Sequence, residues 1–126
     1  MSRSILVVDD EADVQEITKL GLEMKTDWTV LIAESGEEAL QMAREHQPSA
    51  ILLDMMMPDM DGRATLRALK ANSLTAEIPV ILVTAKAQPA TLEEFSDLAV
   101  AAIIAKPFRP LQLAAEIAQA LGWADA

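Results

Sequence analysis

Five short apolar runs recur along the chain with helix-like stretches between them, and this alternation constrains the fold more than any other feature. The runs are "SILVV" (4–8), "WTVLIA" (28–33), "AILL" (50–53), "IPVILV" (78–83) and "AVAAII" (99–104). The first four are rich in Val, Ile or Leu and lack alternating polar positions, the pattern of strands buried on both faces. The alanines of the fifth suit a helix as well as a strand. Helical spacing appears over 12–25, 35–47, 62–72, 89–99 and 110–122. Val14, Ile17, Gly21 and Met24 fall on one stripe of the first of these, and Ala64, Leu66 and Leu69 on one side of the third. Ser35 with Glu38 three residues on fits a capping box, Pro89 and Pro110 suit first helical turns, and Gly122 suits a C-terminal cap. Alternating strands and helices predict βαβ units with right-handed crossovers. The expectation is one α/β domain over residues 1–126, a doubly wound five-stranded parallel sheet with helices on both faces.

A length of 126 residues fits one domain, and 52% hydrophobic with 24% charged residues is a globular composition. The absence of cysteine excludes disulfides, zinc–thiolate sites and cysteine nucleophiles. A formal net charge of −10 argues against nucleic acid as a direct partner. No apolar run is long enough to span a bilayer, and "MSRSILVVDD" meets acids after four apolar residues, unlike a signal peptide. A cytoplasmic address without membrane insertion is therefore expected.

In open α/β sheets ligands bind beyond the carboxyl ends of the strands. Asp9, Asp10 and Glu11 follow the first run, Asp54 the third, Thr84 the fourth, and Lys106-Pro107 the fifth. Carboxylates brought that close cannot all stay ionised unless a cation shares the site. Mg²⁺, or Mn²⁺, suits such oxygen donors and leaves room for phosphate oxygens. Lys106 supplies a point charge for a phosphoryl oxygen and Thr84 a hydroxyl donor. Asp54, bounded by apolar residues, is the natural nucleophile, since an aspartate can form an acyl phosphate when a metal and a lysine absorb the charge. Alone, each acid also reads as a strand-ending residue; together at matching strand ends they read as a site. Asp59 and Asp61 read as turn and helix N-terminal residues, and His46 as a complement to a helix C-terminus without a catalytic role.

"LVVDDE", "ILLDMMMPDMDG", "VILVTA" and "AKPF", in this order and spacing, resemble the receiver domain of bacterial two-component response regulators. The resemblance covers nearly the whole chain and implies the flavodoxin-like, CheY-like form of the fold. It implies that Asp54 accepts a phosphoryl group from a sensor histidine kinase or histidine phosphotransfer protein, with Mg²⁺ required. It further implies that Asp9 and Asp10 hold the metal with Asp54 and the backbone carbonyl of Met56. Thr84 becomes the switch hydroxyl and Lys106 the phosphoryl contact, with a cis bond before Pro107. Met56 and Lys86 fall at positions that modulate phosphoryl lifetime in this family; an apolar Met56 points to slow autodephosphorylation.

Two positions depart from the commoner family pattern: Ile103 stands where an aromatic is usual, and Ala99 where glycine is frequent. An aromatic rotamer switch is thus not available at residue 103. The expected function is a phosphoacceptor module, not a turnover enzyme, that signals to an unknown output protein through a surface over residues 89–121. "WADA" closes the chain after the fifth helix, so output is expected through protein contact or onward phosphoryl transfer; an N-terminal fragment of a larger regulator is an alternative. A receiver-like interaction module that works without phosphate is another. A Mg²⁺-dependent phosphatase would need a second acid where Met56 stands.

Overall fold

Successive side chains of a strand point to opposite faces, so a run without polar alternation needs cover on both sides. A computed structural model describes residues 3–55, 62–84 and 100–123 and supplies that cover. The strands are β1 (Ser4–Val8), β2 (Thr29–Ala33), β3 (Ala50–Asp54), β4 (Val80–Thr84) and β5 (Ala102–Ala105), all parallel and ordered β2-β1-β3-β4-β5. The described helices are α1 (Ala12–Lys25), α2 (Gly36–His46), α3 (Gly62–Ala71) and α4 (Pro110–Leu121). The doubly wound expectation holds.

The two faces of the sheet carry separate cores. Leu6, Val8, Ile51, Leu53, Val80 and Leu82 pack against Ala39 and Ala43 of α2 and Leu66 and Leu69 of α3. Ile5, Val7, Leu52, Ile81 and Val83 pack against Leu22 of α1 and Leu113 and Ile117 of α4. Strands buried this way cannot slip register, since a one-residue shift would exchange the two cores.

Helix ends follow the local chemistry. Ser35 caps α2, its Oγ accepting from the Glu38 amide at 3.1 Å, while Glu38 Oε1 accepts from the Glu34 amide at 2.8 Å. Gln47 closes α2 in the left-handed region (φ 47°), and its side-chain amide donates to the Ala43, Arg44 and Leu74 carbonyls. Gly122 ends α4 at φ 71°, as its type predicts.

Several details differ from the sequence reading. In α1 the buried positions are Thr18, Gly21 and Leu22, whereas Ile17 and Met24 are 52% and 64% exposed. The reason is a close approach to α4: a Cβ at Gly21 would lie 2.5 Å from the Pro110 carbonyl oxygen. No side chain fits at Gly21 itself; Thr18 and Leu22 beside it are buried, and Ile17 and Met24 face outward. In α3, Thr65 is buried and Ala64 exposed. Strand β4 begins at Val80 because Ile78 belongs to the preceding turn, its amide donating to the Thr75 carbonyl and its own carbonyl accepting from Lys70 Nζ at 3.3 Å. Strand β5 begins at Ala102, not at residue 99. Trp28 precedes β2 and packs edge-on against Trp123 (5.4 Å, 85°), with the Arg3 guanidinium 4.2 Å over the Trp123 ring. The expected helix over 89–99 and Ala99 lie outside the described residues.

Candidate functional site

Register carries the site residues to one edge. Val8 pairs with Leu53 and Asp54 with Val83, so Asp9, one step past Val8, lies level with Asp54. Thr84 pairs with Ala105, and Lys106 follows one step on. The parallel ladder continues beyond each strand end: Asp9 N donates to Ala33 O (3.1 Å), Met55 N to Val83 O (2.9 Å) and Lys106 N to Thr84 O (2.8 Å). Backbone hydrogen bonds thus fix the chain at Asp9, Asp54, Thr84 and Lys106 before a side chain makes any contact.

The side chains converge as the strand order requires. Lys106 Nζ donates to Asp54 Oδ2 at 3.0 Å and to Asp9 Oδ2 at 3.3 Å. Asp54 and Asp9 are 2% and 3% exposed; Asp10 stands at the exposed rim. Asp9 is held further by the Glu11 amide, which donates to its Oδ1 at 2.9 Å, and by Gln15 Nε2, which donates to its backbone oxygen at 2.6 Å. The Lys106–Pro107 bond is cis, as the resemblance implies.

Electrostatics mark the site as short of positive charge. Burial pushes the Asp9 carboxyl above its ordinary value; the Asp54 charge adds to this, and the Glu11 amide and Lys106 only partly oppose it. For Lys106, burial acts to lower the ammonium, yet the hydrogen bonds and charges of Asp54 and Asp9 outweigh it, and the net shift is upward. One lysine serves two buried carboxylates with a third at the rim.

The donor set fits Mg²⁺. Carboxylate oxygens of Asp9, Asp10 and Asp54 all lie within 4.8 Å of one another. Oxygens at about 2.0–2.1 Å from one octahedral ion stand about 3–4 Å apart, close to this spread, and exposed Asp10 leaves the rim open to water. Hard oxygen donors with excess negative charge select a hard divalent cation. The Met56 carbonyl, expected to complete the set, lies outside the described residues, as do Lys86, Asp59 and Asp61.

Thr84 ends β4, half-buried, one residue beyond the level of Asp54. Strand alternation places it on the face of Val80 and Leu82, the same face against which half-buried Ile103 packs. The hydroxyl and the aliphatic side chain that replaces the usual aromatic therefore share one side of the sheet. His46 is exposed in the last turn of α2, away from this edge.

Sequence reasoning missed two groups. The Glu11 amide, a main-chain donor to Asp9, has no side-chain signature. Thr18 is fully buried beneath the acids, and its signal was a hydroxyl at a helical position that spacing alone would have made apolar.

The geometry agrees with known proteins. A family model described as response regulator receiver domain matches residues 5–118. The phosphate regulon transcriptional regulatory protein PhoB of Pseudomonas aeruginosa is 35% identical over 93% of this chain and 51% of its own length. The chain thus spans about half the length of the curated relatives it matches. The chemotaxis response regulator CheY4 of Vibrio cholerae, 24% identical, shares the fold with a TM-score of 0.86 over 95% of this chain and 99% of its own. The receiver domain of a Pseudomonas aeruginosa PAO1 sensor histidine kinase, a structure with a magnesium ion coordinated in its active site cleft, is 25% identical with a TM-score of 0.82 over 97% of this chain and 99% of its own. Fold, strand-end acids, lysine and family match agree, and the chain belongs to the response regulator receiver domains of two-component signalling.

Proposed function

We propose that this domain accepts a phosphoryl group on Asp54 from a phosphohistidine of a sensor histidine kinase or histidine phosphotransfer protein. The observation that carries the reading is the Lys106 ammonium held between the buried carboxylates of Asp54 and Asp9 at the carboxyl edge of the sheet. An Asp54 carboxylate oxygen attacks phosphorus, the donor's P–N bond breaks, and the imidazole leaves with the electron pair and takes up a proton. The product is an acyl phosphate on Asp54. Lys106, already within hydrogen-bond reach of Asp54, contacts the transferred phosphoryl oxygens. Asp9, Asp10 and Asp54 are the residues that would hold Mg²⁺ (or Mn²⁺), with the Met56 carbonyl as a further donor. Bound there, the ion would neutralise charge on the phosphoryl oxygens during transfer.

The domain is not a turnover enzyme in this reading: it catalyses only its own phosphorylation and slow hydrolysis, Met56 offering no group to orient an attacking water. Thr84 responds to the phosphoryl group by a hydrogen bond, and with Ile103 on the same face the response is a packing change, not an aromatic flip. Phosphorylation shifts a conformational balance only through unequal affinity for the two states. The signal passes to an output protein, not directly to nucleic acid, which fits the net charge of −10. Among the described residues no helix is long and apolar enough to cross a membrane, which agrees with a cytoplasmic site of action beside the kinase domain.

The test is incubation with acetyl phosphate and Mg²⁺, followed by intact mass, beside Asp54→Asn. One added phosphoryl group that needs Mg²⁺ and is lost in the variant supports the reading. No gain from acetyl phosphate or from a phosphorylated histidine kinase would favour the phosphate-independent interaction module.

A further inference from the structure

Behind the acid site lies a small space of about 10 Å³, lined by Asp9, Asp54 and Thr18 and by apolar residues including Val83 and Phe108. Thr18 Oγ1 is buried there and, among the described residues, makes no hydrogen bond. A helical threonine commonly returns its hydroxyl to a carbonyl one turn back; Thr18 does not. An orphaned hydroxyl in a buried place costs the desolvation it suffered, unless a partner restores the bond. Valine would fill the same volume without that cost.

The space is the right size for one water, which needs roughly 10–15 Å³ and two to four polar partners. Three partners line it: one hydroxyl and two carboxylates. The remaining lining side chains are apolar, so the hydroxyl and the two carboxylates are the side-chain partners available to a molecule seated there. We infer that this cavity seats a structural water that accepts from Thr18 Oγ1 and donates to the Asp9 and Asp54 carboxylates, which makes Thr18 a positioning residue for the acid pair. The hydrogen-bond count closes: the hydroxyl gains its missing partner, and each carboxylate gains a donor from the side opposite the solvent-facing rim. Groups that orient metal-binding carboxylates from behind change metal affinity when removed although they never touch the ion. This role rests on the phosphoacceptor reading for its consequence but not for its existence.

The experiment compares Thr18→Val, which keeps shape and removes the hydroxyl, with Thr18→Ser, which keeps the hydroxyl. Three readouts are taken: a nuclear Overhauser signal between the residue 18 side chain and a long-lived water, Mg²⁺ affinity by isothermal titration calorimetry, and phosphorylation from acetyl phosphate. The expected result is a slow-exchanging water signal in the parent and Thr18→Ser, lost in Thr18→Val, with Mg²⁺ bound about tenfold more weakly by Thr18→Val alone. Parent protein without such a water, or a Thr18→Val protein that binds Mg²⁺ within twofold of the parent, overturns the inference, whatever happens to melting temperature. Because Thr18→Val retains Asp54, it still gains one phosphoryl group at saturating Mg²⁺ if the phosphoacceptor reading is right. Loss of the parent's own phosphorylation refutes that reading while leaving the water signal to decide this one.

Discussion

Replacing Lys106 with methionine removes the charge that two buried carboxylates share and keeps most of the stem's packing. The Nζ lies 3.0 Å from Asp54 and 3.3 Å from Asp9. At an effective dielectric of about 20, each contact has a gross Coulomb energy of about 5 kcal/mol. The carboxylates themselves, within 4.8 Å of each other, repel by about 3.5 kcal/mol or more on the same scale. Desolvation of the lysine offsets much of that attraction, and breaking one side of a buried pair costs about 3–5 kcal/mol. A second limit comes from the proton. Asp9, already raised above 3.8, can escape ionisation by protonating, and at about 1.4 kcal/mol per pH unit this caps its penalty at about 4 kcal/mol at pH 7 and under 2 kcal/mol at pH 5. Lys106→Met is therefore expected to lose about 2–4 kcal/mol at pH 7, shrinking below about 1.5 kcal/mol at pH 5, with Mg²⁺ restoring part of the loss at pH 7. Urea unfolding followed by the fluorescence of Trp28 and Trp123 at both pH values, with and without Mg²⁺, reads all three effects. A loss that is the same at pH 5 and pH 7 would refute the charge-sharing account and leave only lost packing.

Three further outcomes follow from particular contacts. Gly21→Ala gains about 0.5–1 kcal/mol of helix propensity but drives a Cβ to 2.5 Å from the Pro110 backbone oxygen, and overpacking of about 1–3 kcal/mol wins, so the melting temperature should fall by roughly 3–10 °C; no fall would show that α1 and α4 separate easily. Gly62→Ala places a Cβ 2.7 Å from the flexible Met55 thioether and 3.2 Å from the Met55 Cα, so stability should change by less than about 1 kcal/mol. Phosphorylation should nevertheless slow roughly three- to tenfold as the residue after Asp54 shifts, and an unchanged rate would remove Met55 from the alignment of the acceptor. Asp9 is raised in the fold, so its contribution to metal-free stability is present below pH 3.8 and is lost as pH rises through its folded value, while that of Lys106, also raised, persists until pH exceeds 10.5. Mg²⁺ competes with the proton on Asp9, so saturating Mg²⁺ should raise the melting temperature more at pH 7.5 than at pH 4.5; equal shifts would count against Asp9 as a ligand.

The strands were legible because burial on both faces leaves no polar positions in "ILVV" or "VILV", and Asp54, Asp9 and Lys106 were legible because they stand where such runs stop. What spacing could not convey was neighbourhood. Ile17 and Met24 look like a core stripe, yet the face of α1 that meets the core carries Thr18, Gly21 and Leu22, with Gly21 directly against the Pro110 carbonyl. Ile78 and Pro79 read as strand, but the turn ahead of β4 takes Ile78, its carbonyl accepting from Lys70. That one ammonium serves both Asp9 and Asp54 depends on the order β2-β1-β3-β4-β5, with β3 between β1 and β4, which is a property of the assembled sheet. The Glu11 amide is likewise invisible before folding, because it acts through the main chain.

The central claim is that the nucleophile is Asp54 and not its acidic neighbours. Sodium borohydride reduces an aspartyl phosphate to homoserine, so phosphorylation with Mg²⁺ and a phosphodonor, reduction and peptide sequencing by mass spectrometry reads the acceptor residue by residue. The account predicts homoserine at position 54, dependent on Mg²⁺, with Asp9 and Asp10 recovered as aspartate. Homoserine at position 9 or 10, or none anywhere in protein that has gained a phosphoryl group, would contradict it.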